Sequence, residues 1–178
     1  IEARPDHRWD ISVEQGYVIQ VDPGQELDLT LNLTNIGNTD DLLTLLPQFE
    51  ITRVGQDQSV WVADMINTSR LNVLESESLI YTIIIPDNCW NGTVAALSLQ
   101  GYSNGFEIGY QVNISLIVNR VSGWRLDLSN TSLEVSPAGG ELSILVEQLG
   151  NSPSKPYFTK AGQGWNVSIP TEGDEISP

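Results

Sequence analysis

Two long segments of this chain place apolar residues at every second position. Between Glu26 and Asn35 the apolar positions are every second residue, and the segment from Tyr110 to Val118 alternates in the same way. A period of two is that of a β-strand with one buried face, whereas helices repeat apolar residues about every three to four positions. The pattern therefore predicts a protein whose strands each give one side to a core.

Other segments carry strand signals, and turn residues separate them. The predicted strands are Trp9–Val13, Tyr17–Val21, Glu26–Asn35, Leu42–Ile51, Ser59–Val62, Leu71–Leu74, Ser78–Ile85, Thr93–Tyr102 and Phe106–Asn119. Gly, Pro and Asn mark the turns, as in Asp22-Pro23-Gly24 and Asn91-Gly92. No window repeats apolar residues at helical spacing for long enough to predict a helix. Short strands at this spacing predict an all-β fold, an antiparallel immunoglobulin-like β-sandwich.

The chain also contains an internal repeat. Its landmarks are Trp9, returning as Trp124; Val21–Leu27, returning as Val135–Leu142; Asn35-Ile36-Gly37-Asn38, returning as Gln148-Leu149-Gly150-Asn151; and Trp61-Val62, returning as Trp165-Asn166-Val167. Four landmarks in one order indicate two related units. We expect one complete sandwich in residues 1–120 and a second, partial or smaller repeat in residues 121–178.

The second repeat is about half as long as the first, and a half-sandwich leaves its core and a sheet edge uncovered. Three explanations remain open at this point. The chain is cut within the repeat and packs against the first domain, or the second unit is a smaller sandwich, or another chain supplies strands by complementation. We favour the first, and the start at Ile1 rather than Met agrees with a processed or excised chain.

These landmarks carry a family resemblance. Trp9, the turn Asp22–Leu27 and the run Asn35–Asp41 resemble the NPCBM-associated and CARDB (cell-adhesion-related) modules of archaeal and bacterial surface proteins. The resemblance covers most of residues 8–120 and returns in weaker form in residues 121–178, where Gln148 replaces Asn. It implies an immunoglobulin-like sandwich used as a repeated extracellular spacer or adhesion module, without catalysis.

Six Asn-x-Ser/Thr sequons occur in this chain, whereas its thirteen Asn and 28 Ser or Thr residues would give about two by chance. Each is a candidate acceptor for an N-linked glycan. The candidate acceptors are Asn32, Asn67, Asn91, Asn113, Asn130 and Asn166. They fall on the polar faces of predicted strands or in turns, so none is predicted to point into the core. We therefore expect an extracellular or cell-surface glycoprotein.

The net charge of −15 sets the chain against nucleic acids and anionic membranes, because both bind basic surfaces. The apolar runs, such as Ile83–Ile85, are far shorter than the roughly 20 residues that cross a bilayer, so we expect no membrane insertion in this segment. The expected partners are neighbouring repeats or copies of the same protein, together with cell-surface glycans.

The sequence offers little for catalysis. Its one histidine, His7, lies in a segment predicted to be flexible, and its one cysteine, Cys89, is expected to be a small buried residue, with an intermolecular disulfide as the alternative. Zinc-binding clusters and Gly-rich phosphate loops are absent from the sequence, and no pair among its carboxylates stands out as an acid and base. We therefore expect no enzymatic activity.

Two binding chemistries remain as hypotheses. Calcium is the one cofactor that the residues suggest, because loop carboxylates and amides are its usual ligands, and the weak candidates are Asp40, Asp41 and Asp87, with Glu172–Glu175 as a further acidic loop. Sugars stack on exposed aromatic rings. Trp9, Trp124 and Trp165 are expected in the core or in packing between domains, which leaves Trp90 as the least committed ring.

Some apolar residues fall on faces predicted to point outward, namely Ile80, Ile84, Ile117 and Leu145. We expect a neighbouring repeat or a second chain to cover them. The sequence as a whole predicts a non-enzymatic structural or adhesion module of a glycosylated surface protein. The alternatives are an accessory module that binds carbohydrate or calcium beside an enzyme, and a filament or surface-layer subunit assembled by strand complementation.

Overall fold

The computed structural model describes residues 4–103, 106–128, 138, 140, 141, 143–159 and 172–178. Within these residues the chain forms β-strands and no helix. It divides into two compact units, Ile1–Asn119 and Arg120–Pro178, called unit 1 and unit 2 below. Among the described residues there is accordingly no helix that is long and apolar enough to span a membrane.

Unit 1 contains eight strands. They are β1 (Trp9–Val13), β2 (Val18–Val21), β3 (Glu26–Asn35), β4 (Leu43–Thr52), β5 (Ile66–Asn67), β6 (Ser76–Ile84), β7 (Val94–Ser103) and β8 (Phe106–Val118). One sheet has the order β1-β3-β6 and the other has the order β2-β8-β7-β4-β5. All neighbouring strands are antiparallel except β2 and β8, which run parallel. Unit 1 is thus the predicted immunoglobulin-like sandwich.

The alternation read from the sequence is the reason that these strands form a core. The apolar residues at every second position of β3 point inward, as do those of β7 and β8. The core of unit 1 includes Ile11, Leu29, Leu31, Leu33, Leu43, Leu45, Ile83, Leu97, Leu99, Ile114 and Leu116. Their removal from water supplies the main stabilising free energy of the unit, at about 25 cal/mol per Å² of apolar surface buried.

Among the described residues of unit 2, β9 (Trp124–Leu128) and β10 (Ile144–Gln148) form an antiparallel pair. Trp124 pairs with Gln148 and Leu128 with Ile144. In unit 1, Trp9 pairs with Asn35 and Val13 with Leu31, so the β1–β3 pair and the β9–β10 pair share one register. The Trp9 and Asn35–Asn38 landmarks of the repeat therefore have matching structures in both units.

Two predicted strands are wrong. Ser59–Val62 is extended but pairs with no strand, and Leu71–Leu74 reduces to an isolated bridge between Leu71 and Asp41. Leu74 has a φ of 65°, in the left-handed region that a β-strand excludes. The short strand β5, which lies between these two segments, was not predicted.

Candidate functional site

The landmarks Asn35–Asn38 and Gln148–Asn151 include a loop that binds the chain entering each unit. In unit 1 the loop Ile36–Asn38 holds the segment before β1. The Asn38 amide N–H donates to the carbonyl oxygen of Asp6 at 3.0 Å, and the Asp6 N–H donates to the Asn38 side-chain oxygen at 2.7 Å. The Ile36 N–H donates to the carbonyl oxygen of Arg8 at 2.9 Å. We call this loop the linker clasp.

Gly37, at the centre of the clasp, is required by close approach rather than by its backbone angles. A Cβ atom placed on Gly37 would lie 2.1 Å from the Asp6 carbonyl oxygen, which is far inside van der Waals contact. Because the obstacle is backbone, it cannot turn away as a flexible side chain would. Any larger residue at this position would therefore push the incoming segment off the loop.

Unit 2 has the same clasp, formed by Leu149–Asn151. The Asn151 N–H donates to the Val121 carbonyl oxygen at 3.1 Å, and the Val121 N–H donates to the Asn151 side-chain oxygen at 2.8 Å. The Leu149 N–H donates to the Gly123 carbonyl oxygen at 2.9 Å. A Cβ on Gly150 would lie 2.6 Å from the Val121 oxygen. Each of the three hydrogen bonds named for the first clasp thus has its counterpart in the second, whereas the bond from Asn38 Nδ2 to the Arg4 carbonyl oxygen at 3.0 Å is described in the first alone.

Asn35 braces the clasp of unit 1 from beneath. It is completely buried, and its Nδ2 donates to the carbonyl oxygens of Thr39 and Leu71 at 2.9 and 3.0 Å. Its Oδ1 accepts the Gly37 N–H at 3.0 Å. The Asn35 side chain thus caps backbone groups on both sides of Gly37.

Beside this clasp lies a buried carboxylate, Asp41, which is 0% exposed. It accepts hydrogen bonds from Trp9 Nε1 at 3.1 Å, from the Leu42 N–H at 2.8 Å and from Ser103 Oγ at 2.5 and 2.7 Å to its two oxygens. Burial raises the pKa of Asp41, but the hydrogen bonds from Ser103, His7, Leu42 and Trp9 together bring it below its ordinary value. Asp41 therefore remains ionised and ties β1 and β7 to the loop before β4.

His7 belongs to the same cluster, so the prediction that it lies in a flexible segment is wrong. Its Nδ1 lies 3.0 Å from Asp41 Oδ2 and 3.0 Å from Ser103 Oγ. Serine, histidine and aspartate, the three residue types of a serine-hydrolase triad, are all present, but their hydrogen bonds are not arranged as in a catalytic triad. There the serine and the carboxylate bond to opposite nitrogens of the imidazole, whereas here both face Nδ1 and the serine donates directly to the carboxylate.

A second buried carboxylate, Asp57, connects the loop after β4 to the turn before β7. It accepts the N–H groups of Ser59 at 2.7 Å and Trp90 at 3.1 Å, and also a short hydrogen bond from Thr93 Oγ1. Burial raises the pKa of Asp57, and the bonds from Thr93, Ser59 and Trp90 lower it by more, so it too falls below its usual value. No sequence signal distinguished Asp57 from the solvated acids.

The calcium candidates lie in unlike environments. Asp40 and Asp87 are exposed, whereas Asp41 is buried with its oxygens engaged by protein donors. Within the described residues no group of three or more His, Cys, Asp or Glu side chains is arranged to hold a metal ion. In the acidic loop Glu172–Glu175, Glu172 Oε1 lies 3.4 Å from Lys155 Nζ. Calcium binding stays a prediction.

The sequons of the described strands lie at the surface of unit 1. Asn32, Asn67 and Asn113 are exposed and Asn91 is half-buried, while Asn130 and Asn166 lie outside the described residues. The three exposed amides each accept a neighbouring hydroxyl through Oδ1. The donors are Ser78 for Asn32, Thr44 for Asn67 and Ser98 for Asn113, at 2.5, 2.7 and 2.6 Å. These bonds leave Nδ2, the atom that carries an N-glycan, outside the contact.

The tryptophans divide between core and surface. Trp9 and Trp61 are buried, and Trp90 is half-buried against Gly55, where an added Cβ would lie 2.4 Å from its ring. The prediction of a core position is confirmed for Trp9 and wrong for Trp124, which is 37% exposed, because the described residues of unit 2 contain no second sheet to cover β9. Trp165 lies outside the described residues.

The remaining predicted positions are mostly confirmed. Cys89 is buried, and its Sγ donates to the Pro86 carbonyl oxygen at 2.9 Å. Burial, with the nearby charge of Asp57, raises the pKa of the Cys89 thiol to about 11. Of the apolar residues predicted to point outward, Ile80, Ile84 and Leu145 are exposed and Ile117 is half-buried.

Comparisons with known proteins give a likeness of fold. No family model matches the chain, and no curated protein matches it. Among solved structures the chain is similar to the ASH / PapD-like domain of human CEP192 (PapD-like domain 7). The two share 14% sequence identity with a TM-score of 0.40, and the match covers 67% of this chain and 89% of the other.

Proposed function

We propose that this chain is a non-enzymatic structural or adhesion module of a glycosylated extracellular surface protein, built from tandem repeats. The observation that carries the proposal is the linker clasp, which occurs in both units with the same three hydrogen bonds. A device that fixes the chain as it enters each repeat suits a spacer, because it limits the freedom of the connection between repeats.

The junction residues support this role. The Asn119 N–H donates to the Val21 carbonyl oxygen at 2.8 Å, and Asn119 Nδ2 donates to Asp22 Oδ1 at 2.8 Å. Asn119 is therefore held by unit 1. Val121 is held by the clasp of unit 2. Arg120 alone lies between these two anchored residues. A connection of one residue has few conformations to lose, which suits the proposed spacer.

The extracellular setting is supported by the sequons, since the three exposed acceptors project from the outer faces of both sheets of unit 1. The resemblance to NPCBM-associated and CARDB modules favours the same setting and the same repeated architecture. We propose neighbouring repeats or further copies of the protein as partners, and the cell surface as the location.

Trypsin cleavage after Arg120 tests the clasp. Asn151→Ala removes the acceptor of the Val121 N–H and leaves the rest of the chain intact. Loss of one hydrogen bond, at about 1 kcal/mol, should raise the open population and the cleavage rate about fivefold. Fragment masses during limited digestion give the rate at each site.

Asn38→Ala is the corresponding change in the clasp of unit 1, where it removes the acceptor of the Asp6 N–H and also the donor to the Arg4 carbonyl oxygen. It should speed cleavage after Arg8 and leave cleavage after Arg120 unchanged. Equal cleavage after Arg120 in the wild-type and Asn151→Ala chains would show that the clasp does not restrain the junction.

Glycan occupancy on the protein isolated from its own cells tests the proposed location. We expect glycopeptides that contain Asn32, Asn67 and Asn113, and cleavage of the protein by protease added to intact cells. Peptide mass spectrometry measures the first and immunodetection the second. Unmodified asparagine at all three positions, with protection from external protease, would contradict the proposal.

A further inference from the structure

We propose that, among the described sequons of unit 1, Asn67 is the one that stays a glycan acceptor after folding, whereas Asn91 accepts a glycan only before unit 1 folds. This inference rests on the proposed glycosylation and concerns its order relative to folding. It follows from what the fold does to the third residue of each sequon, whose hydroxyl the modifying enzyme must recognise together with the asparagine amide.

In the Asn91 sequon that hydroxyl belongs to Thr93, which is 0% exposed. Thr93 Oγ1 donates to the carboxylate of Asp57, itself buried, and accepts the Val54 N–H at 3.4 Å. An enzyme that reads this hydroxyl would have to take it from Asp57. It would thereby leave a buried carboxylate short of a donor, which is costly in a site that excludes water.

The backbone of the same sequon is also held on several sides. The Thr93 N–H donates to the Trp90 carbonyl oxygen at 3.1 Å, and the Thr93 carbonyl oxygen accepts the Val118 N–H at 3.0 Å. The Gly92 N–H donates to the Val118 carbonyl at 3.0 Å, and Gly92 has a φ of 82°, so the turn is fixed in a form that favours glycine. Releasing the sequon requires breaking these bonds together, which amounts to opening the start of β7.

The Asn67 sequon lies in a different setting. Asn67 is exposed in β5, a strand of two residues at the edge of its sheet, and the hydroxyl residue Ser69 is exposed as well. The Ser69 N–H and Oγ both bond to Glu77 at the surface, at 3.0 and 3.1 Å. Thr68, between Asn67 and Ser69, is buried; its N–H donates to the Leu43 carbonyl oxygen and its Oγ1 accepts the Leu43 N–H, both at 2.9 Å. Water can replace the exposed bonds of Ser69, so the hydroxyl that the enzyme reads is released without breaking these buried bonds.

Asn32 and Asn113 follow Asn91 rather than Asn67. Asn32 in β3 pairs with both Ser12 of β1 and Ser78 of β6, and Asn113 in β8 pairs with Ser98 of β7, next to the β2 pairing that begins at Ser115. The fold thus divides the described sequons by their strand position. Occupancy at Asn91 then measures the competition between folding of unit 1 and the modifying enzyme.

The test presents folded, unmodified full-length chain to a purified oligosaccharyltransferase with its lipid-linked oligosaccharide. The chain is made in a bacterial host that adds no N-glycans, and circular dichroism verifies the β-fold. An unfolded peptide spanning residues 86–96 serves as the acceptor for Asn91 without the fold. Peptide mass spectrometry gives the rate at each asparagine.

We expect modification of Asn67 in the folded chain, modification of Asn91 in the peptide, and a rate at Asn91 in the folded chain at least about tenfold below the peptide rate. Comparable rates at Asn91 in chain and peptide would overturn the inference, as would no modification of the peptide or no modification of Asn67. Failure of the proposed location is distinct, because it appears as missing glycans on the native protein whatever this reaction shows.

Discussion

At the scale of single residues, unit 1 places two carboxylates where the sequence gives no reason to expect them. Asp41 follows an equally acidic neighbour, Asp40, yet one is buried and the other exposed. The partners of Asp41 are far away in sequence, since His7 precedes it by 34 residues and Ser103 follows it by 62. A pattern of adjacent residues contains no information on such contacts, so the buried carboxylates could not be predicted.

The pH dependence of stability tests the role of Asp41. Its pKa is lower in the folded chain than in the unfolded chain, where it is about 3.9, so its stabilisation is complete above that value and is lost as the pH falls through the folded pKa. Asp41→Asn should lower the free energy of unfolding at pH 7 by about 1–3 kcal/mol, because the amide is a weaker acceptor and presents two donors to Trp9 and Ser103. It should also flatten the decline below about pH 4.

Asp40→Asn is the control for this measurement, because it changes the exposed neighbour and should alter stability by less than about 0.5 kcal/mol. Denaturant unfolding between about pH 3 and 7 gives both quantities. Some decline should persist in Asp41→Asn, since the pKa of Asp57 is lowered as well. A variant curve parallel to the wild-type curve would exclude a contribution of Asp41 charge to stability.

At the scale of elements, alternation predicted the strands that pair but not the segments that merely extend. Val60 and Val62 are exposed and Trp61 between them is buried, so Ser59–Val62 alternates as a strand does. It nevertheless pairs with no strand, because alternation reports which side of a segment is buried and not whether its backbone has a partner. The same limit applies to Leu71–Leu74, where the positive φ of Leu74 ends any extended run.

Strand β6 is an edge strand without the usual protection against pairing. Its nine residues contain one charged side chain, Glu77, and no proline or glycine, and its register with β3 is unbroken. Its outward face carries Ile80, 74% exposed, and Ile84. A second copy of the chain would suit such an edge, in keeping with the expectation that a neighbouring repeat or a second chain covers Ile80 and Ile84.

Ile84→Lys tests this association. The lysine should weaken self-association at high protein concentration, because it places charge on the pairing face, and should leave the free energy of unfolding within about 0.5 kcal/mol. Sedimentation velocity over a range of concentrations measures it. Ser12→Lys, on the outward face of β1, adds the same charge away from the β6 edge and should have no effect. A wild-type chain that stays monomeric throughout would contradict the idea.

At the scale of the whole molecule, the sequence predicted the repeat because tryptophan, glycine and asparagine mark positions with special contacts. Trp124 and Gln148 hold the places of Trp9 and Asn35, and the clasp explains why the glycine returns. The burial of the β9–β10 pair does not match that of the β1–β3 pair. Leu126 is 60% exposed, whereas Ile11 at the matching register position is buried, because a strand's own sequence does not specify what covers it.

The parallel pairing of β2 with β8 has a mechanical consequence. Val18 pairs with Ser115 and Val21 with Val118, so the start of β2 and the end of β8 lie at opposite ends of the pair. A force that pulls these two ends apart acts along the strands and shears the bonds between them. Bonds loaded in shear must break as a group, whereas a hairpin pulled at its open end unzips one bond at a time. The β2–β8 pair therefore resists a force along its strands better than a hairpin pulled at its open end would.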